Sequence, residues 1–166
     1  SADEINEAID CGITDIGENK VQEIMDKYEK VKPVRWHLIG HLQTNKVKYI
    51  IDKVAMIHSV DSLHLAKEID KRARQHGLVM DILIQVNSAM EESKFGITTE
   101  ETGKMIDYIL RECPNIRIRG LMCIAPFEDN PDDARVYFAE VKKLYDEYAK
   151  VHHPNLDFKY LSMGMS

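Results

Sequence analysis

Two spacings of apolar residues alternate along the chain. Runs with apolar positions three and four apart give way to short, nearly continuous apolar runs, and polar or glycine-containing joints separate them. The first run predicts a helix from about Ser1 to Cys11, with Ile5, Ala8 and Ile9 on one face and Gly12 as its C′ residue. Ser1 and Glu4 stand at capping-box spacing at its start. A short strand is expected at Ile13 to Ile16, then a helix facing inward through Val21, Ile24, Met25 and Tyr28. Pro33 breaks that pattern before a strand at Arg35 to Ile39, and Val47, Ile50 and Ile51 mark a short third helix. Val54 to Val60 is the next strand, and Asp61 or Ser62 caps a helix whose buried face is Leu65, Ala66, Ile69 and Ala73, with Gly77 at its end. Met80 to Val86 is the most strand-like run. After a polar loop, Ser88 to Gly96, a second capping box at Thr98 and Glu101 opens a helix burying Met105, Ile106, Ile109 and Leu110, which stops before Pro114. Ile116 to Ile124 reads as a strand interrupted by Gly120. Asn130 as N-cap, Pro131 at the first helical position and Asp132 and Asp133 in the first turn open the longest helix, and Phe158 to Met163 is the last strand.

Strict alternation with short links predicts a parallel sheet with right-handed crossovers. A doubly wound open sheet and a (β/α)8 barrel both satisfy it. No GxGxxG or P-loop pattern follows a strand, which weakens the nucleotide-binding open sheet. A barrel gathers the residues after each strand on one face, and Asn19, His41, Ser59, Asn87, Pro126 and Ser166 are distributed for that. The expected architecture is one barrel domain over residues 1–166, a (β/α)8 TIM barrel represented by strands two to seven, with the first strand and the eighth-strand region outside a chain cut at both ends.

Composition narrows the setting. With 44% hydrophobic and 30% charged residues the chain has an ordinary globular make-up, and 166 residues suffice for one core. A formal net charge of -6 argues against general affinity for nucleic acid or anionic membrane. Apolar runs fall short of the ~20 residues of a membrane span. Cys11, Cys113 and Cys123 lack metal-ligand spacing, and their odd number fits a reducing, cytoplasmic setting.

The densest chemistry lies in Arg35 to Tyr49, where an apolar run delivers His41, Gln43, Thr44, Asn45 and Lys46. His37 and His41 share a strand face at a spacing that evokes zinc, but no acidic or cysteine ligand stands near them in sequence, and His37 reads better as a hydrogen-bonded core histidine. Arg35, Lys46, Lys48 and Lys53 read as a solvated basic group. Asn19 is open to two readings, cap of the second helix or ligand contact.

Several stretches together resemble one family. They are Gly17-Glu-Asn-Lys-Val-Gln-Glu23, Trp36-His-Leu-Ile-Gly-His-Leu-Gln-Thr-Asn-Lys46, His58-Ser-Val-Asp61, Gln85-Val-Asn87, Glu92-Ser-Lys-Phe-Gly96, Gly120-Leu-Met122 and Leu161-Ser-Met-Gly-Met-Ser166. In order and over nearly the whole chain, they resemble the pyridoxal-phosphate homeostasis proteins, the proline-synthetase-co-transcribed type. The resemblance implies an alanine-racemase-type barrel, binding of pyridoxal 5′-phosphate (PLP), a role in cofactor homeostasis and no established catalysis. It implies a phosphate contact at Ser166, with Met163 in the same motif, and contacts near the ring at Asn19 and His41. The family's Schiff-base lysine precedes the position of Ser1, so the chain is expected to lack it; Lys46 and Lys94 are poor substitutes because loop lysines are usually exposed and protonated. PLP-dependent apoenzymes are the implied partners, and the protein is expected to be a monomer. Two other function classes stay open: a racemase-like enzyme using PLP, which would need a second acid/base group from another domain, and a PLP-independent module for a small anion.

Overall fold

The computed structural model describes residues 1–87, 98–125 and 131–165. Among the described residues six helices alternate with six strands: α1 (Ala2–Asp10), β1 (Asp15–Glu18), α2 (Val21–Lys27), β2 (Arg35–Leu38), α3 (Val47–Ile50), β3 (Val54–Val60), α4 (Leu63–Gln75), β4 (Met80–Gln85), α5 (Thr99–Glu112), β5 (Ile116–Ala125), α6 (Pro131–Ala149) and β6 (Leu156–Met165). Short 3₁₀ turns at Tyr28–Lys30 and Thr44–Lys46 extend α2 and precede α3.

Helix starts follow local chemistry. Ser1 Oγ accepts from the Glu4 N–H at 3.3 Å while Glu4 reaches back to the Ser1 nitrogen at 2.9 Å, forming the expected box. Ser62, rather than Asp61, caps α4 by accepting from the Leu65 N–H. Thr98 caps α5 by accepting from Glu101. Pro131 is the first residue of α6; the expected cap, Asn130, lies outside the described residues. Asn19 does not cap α2. Lys20 holds the N-cap position and makes no side-chain capping bond, so the capping reading of Asn19 is corrected.

All five strand pairings are parallel and the sheet order is β1-β2-β3-β4-β5-β6. β1 and β6 occupy the two edges, so the strands do not close as a six-stranded barrel. β1 begins two residues later than the apolar pattern predicts. The ladder starts where Asp15 meets Arg35, and Ile13 stays outside it, 47% exposed. β5 is not interrupted at Gly120. Both neighbouring ladders skip Arg119 (Ile82 opposite Ile118, then Leu83 opposite Gly120; Ile118 opposite Leu156, then Gly120 opposite Tyr160). This is a bulge, and Gly120 makes it possible: its φ is +150°, and an added Cβ would sit 1.8 Å from the Tyr160 carbonyl oxygen.

The two sheet faces differ in chemistry. Trp36, Leu38, Ile57, Ile82, Ile84, Ile118, Leu121 and Cys123 pack with the inner faces of the helices into the main core. The opposite, concave face has a small apolar cluster, Met56, Leu83 and Met122, between two polar zones. One holds Asp15, Arg35, Asp81 and Arg117 at the strand starts and His37, His58 and Arg119 farther along their strands, around a cavity of about 700 Å³. At the strand ends lies the polar rim.

Candidate functional site

Parallel strands put every strand C-terminus at one end of the sheet, where the chain leaves the ladder and side chains can converge. Asn19 follows β1, Gly40 and His41 follow β2, Asp61 follows β3, and Asn87 lies just past β4. The first two loops touch. An added Cβ on Gly40 would lie 2.1 Å from the Asn19 carbonyl oxygen, so only glycine lets the backbones approach this closely. The Ile39 N–H donates to the Glu18 carbonyl at 2.9 Å and holds the same junction. Beside it, His41 Nδ1 stands 4.0 Å from an Asp61 carboxylate oxygen, linking the ends of β2 and β3. Asn19 and His41 are exposed. Gln85 and Asn87 are buried at the end of β4, which Tyr137 ties to α6 by donating its hydroxyl proton to the Val86 carbonyl at 3.0 Å.

The predicted residues divide. Asn19 and His41 come together on the rim. Met163 pairs in register with Cys123, a fully buried residue of the helix-side core, and is itself 38% exposed on the edge strand. The neighbouring pair, Met122 with Ser162, faces the concave side, and Ser162 lines the cavity. Ser166, Lys94 and Pro126 lie outside the described residues. Lys46 is exposed at the end of a 3₁₀ turn.

His37 and His41 separate although both belong to the β2 stretch. His37 is half-buried on the concave face, with Nε2 at 2.8 Å from Asp15 and Nδ1 at 2.9 Å from His58 Nε2. His41 sits on the rim. Arg35 leaves the basic group proposed for it and grips Asp15 through two nitrogens, at 2.9 and 2.8 Å. Lys53 pairs with Asp52.

Reading the sequence alone left the charged floor beneath the rim unseen. Asp81 accepts from Arg117 at 2.8 and 2.9 Å and from Arg119 at 3.2 Å. Arg119 also donates to the Asp157 carbonyl at 3.2 Å and lies over the Tyr160 ring. Arg35, then His37, hold the Asp15 carboxyl well below the usual range. Burial, with His37 adding to it, pushes His58 down to about 4. The available signal was the Ile-Arg-Ile-Arg alternation at 116–119: in a strand whose apolar side faces helices, the arginines must occupy the other face, which in a barrel is the inside.

The fold and rim define a class: a parallel α/β barrel domain that presents polar side chains and closely approaching loop backbones at its strand ends. The alanine racemase N-terminal domain model matches residues 1–166. The pyridoxal phosphate homeostasis protein of Aquifex aeolicus is 46% identical over 164 residues, 98% of this chain and 71% of that protein. PipY of Synechococcus elongatus, solved with PLP bound, is 32% identical, with a TM-score of 0.85 covering 99% of this chain and 77% of that one. An alanine racemase of Clostridium difficile shares the fold at a TM-score of 0.75 with 15% identity, covering 99% of this chain and 46% of that one. The chain belongs to the alanine racemase N-terminal domain family, among its pyridoxal phosphate homeostasis proteins.

Proposed function

We propose that the protein binds PLP at the strand-end rim and serves cofactor homeostasis without turning over a substrate. One observation carries this reading: the rim with its Asn19–Gly40 junction stands in a chain 32% identical to a protein solved with PLP bound. The donor set fits the group. A phosphate dianion needs N–H and O–H donors, and a flat ring needs a narrow polar mouth over apolar side chains. The Asn19 amide and the His41 imidazole are the proposed donors of the rim, and Met56, Leu83 and Met122 the proposed apolar bed. Ser166 is the proposed further phosphate donor. Met163 contributes no side-chain contact in this reading. Bound PLP supplies an aldehyde that condenses with amines.

PLP-dependent apoenzymes are the proposed recipients of the cofactor, and the proposed setting is the cytoplasm. No lysine of this chain is proposed to attach the cofactor covalently. His41, beside Asp61, orients a donor toward the ring, and no second acid/base group is assigned across it.

The experiment is a PLP titration followed by dialysis, then borohydride reduction and peptide mapping. Saturable binding with only scattered weak labelling of surface lysines is expected. Absence of saturable binding would overturn the cofactor reading, and one dominant stoichiometric adduct on Lys46 or Lys94 would overturn the non-covalent part. Chiral analysis of alanine after long incubation tests the non-catalytic part, which loss of optical purity beyond that caused by free PLP would refute.

A further inference from the structure

Beneath the rim, two buried side-chain atoms make no hydrogen bond among the described residues, Ser59 Oγ and His58 Nδ1. The second ends a chain of polar contacts across three successive strands. Asp15 on β1 accepts from His37 Nε2 on β2 at 2.8 Å, and His37 Nδ1 faces His58 Nε2 on β3 at 2.9 Å. A carboxylate can only accept, so His37 carries its proton on Nε2. In the neutral relay His37 Nδ1 is then bare, His58 Nε2–H must donate to it, and His58 Nδ1 is left as a buried lone pair.

We propose that Asp15, His37 and His58 form a one-way hydrogen-bond relay that ties β1, β2 and β3 together while His58 is neutral, and that acidification loosens the strand ends carrying Asn19, His41 and Asp61. The direction follows from where an added proton must go. The open nitrogen of the relay is His58 Nδ1, and protonation there creates a buried N–H without an acceptor on a partly desolvated ring. Seven other charged or titratable groups line this cavity: Asp15, Arg35, His37, Asp81, Arg117, Arg119 and Tyr160. Asp15 is held by Arg35 and His37 and Asp81 by Arg117 and Arg119, and neither carboxylate reaches His58 Nδ1.

The sign follows from linkage. His58 has its folded value lowered from 6.5 to about 4. Its share of stability is complete above the unfolded value near 6.5. It is lost as pH falls toward 4, because over that window the unfolded chain takes up a proton that the folded chain refuses. Within the window this one group can lower the folding equilibrium constant by up to about tenfold per pH unit.

His58→Gln gives the test. Its side-chain amide can still donate toward His37 Nδ1 but does not titrate. Urea unfolding of both proteins across this pH range is expected to show the wild type losing folding equilibrium progressively more than the variant, by up to about tenfold per unit. Superimposable pH dependences would overturn the relay. Should the variant fail to fold, nitrogen-15 spectra of the wild-type histidine rings decide. His58 protonated on Nε2 and bare on Nδ1, unchanged through pH 6.5, is expected; titration near its ordinary value or a protonated Nδ1 at neutral pH overturns it.

Discussion

Rim and floor belong to the same six strands, yet they handle polar groups in opposite ways. On the floor the carboxylates and arginines answer one another across neighbouring strands: Asp15 with Arg35 and His37, Asp81 with Arg117 and Arg119. Two of these pairs, Asp15 with Arg35 and Asp81 with Arg117, are direct register partners, and the bulge brings Arg119 to the second of them. On the rim the chain has left the ladder. Asn19 and His41 stand exposed on turns that meet through a glycine, and the His41–Asp61 approach is a loose 4.0 Å. The contrast separates two jobs. Polar groups paired across neighbouring strands answer one another and hold the strands in register. Polar groups past the strand ends, such as Asn19 and His41, stand exposed where a ligand can reach them.

The contrast can be broken most directly at Asp81. Asp81→Ala strips Arg117 and the largely buried Arg119 of their shared carboxylate, and removing one partner of such a pair costs about 3 kcal/mol. Urea denaturation at neutral pH should show that loss. A change under about 1 kcal/mol would mean that the floor is far better hydrated than its burial implies. Rim substitutions should behave the other way. His41→Ala and Asn19→Ala are expected to leave stability within about 0.5 kcal/mol, as for other exposed positions, while weakening PLP binding by about tenfold. If either variant lowers stability by more than about 1 kcal/mol while the folded protein keeps its affinity, the division of labour fails on the rim.

How much of this was legible in the sequence depends on which signal carried it. The strand at Val54–Val60 and the helix starts at Ser1, Ser62 and Thr98 follow from apolar runs and capping hydroxyls, both local features. β1 was misplaced by two residues because Ile13 and Thr14 look strand-like, whereas pairing is set by the partner: Asp15 is the first residue with one. Gly120 reads locally as an interruption. Only the ladders on both sides reveal the bulge that sets Arg119 over Asp81. The rim loops around Asn19 and His41 were legible through family motifs. Met163 shows the limit of a motif, since it names a segment without saying which of two alternating faces a side chain takes. The floor went unread because charged residues in strands ordinarily signal solvent, and a barrel interior reverses that inference.

The central claim is that the rim, not the floor, receives PLP. Amide chemical-shift mapping of the nitrogen-15-labelled protein during PLP titration tests it most directly. The account predicts saturable shifts concentrated at Asn19, Gly40 and His41, with Asp81, Arg117 and Arg119 nearly still, and loss of the pattern in His41→Ala. Shifts centred on Asp81, Arg117 and Arg119 with a quiet rim would contradict it.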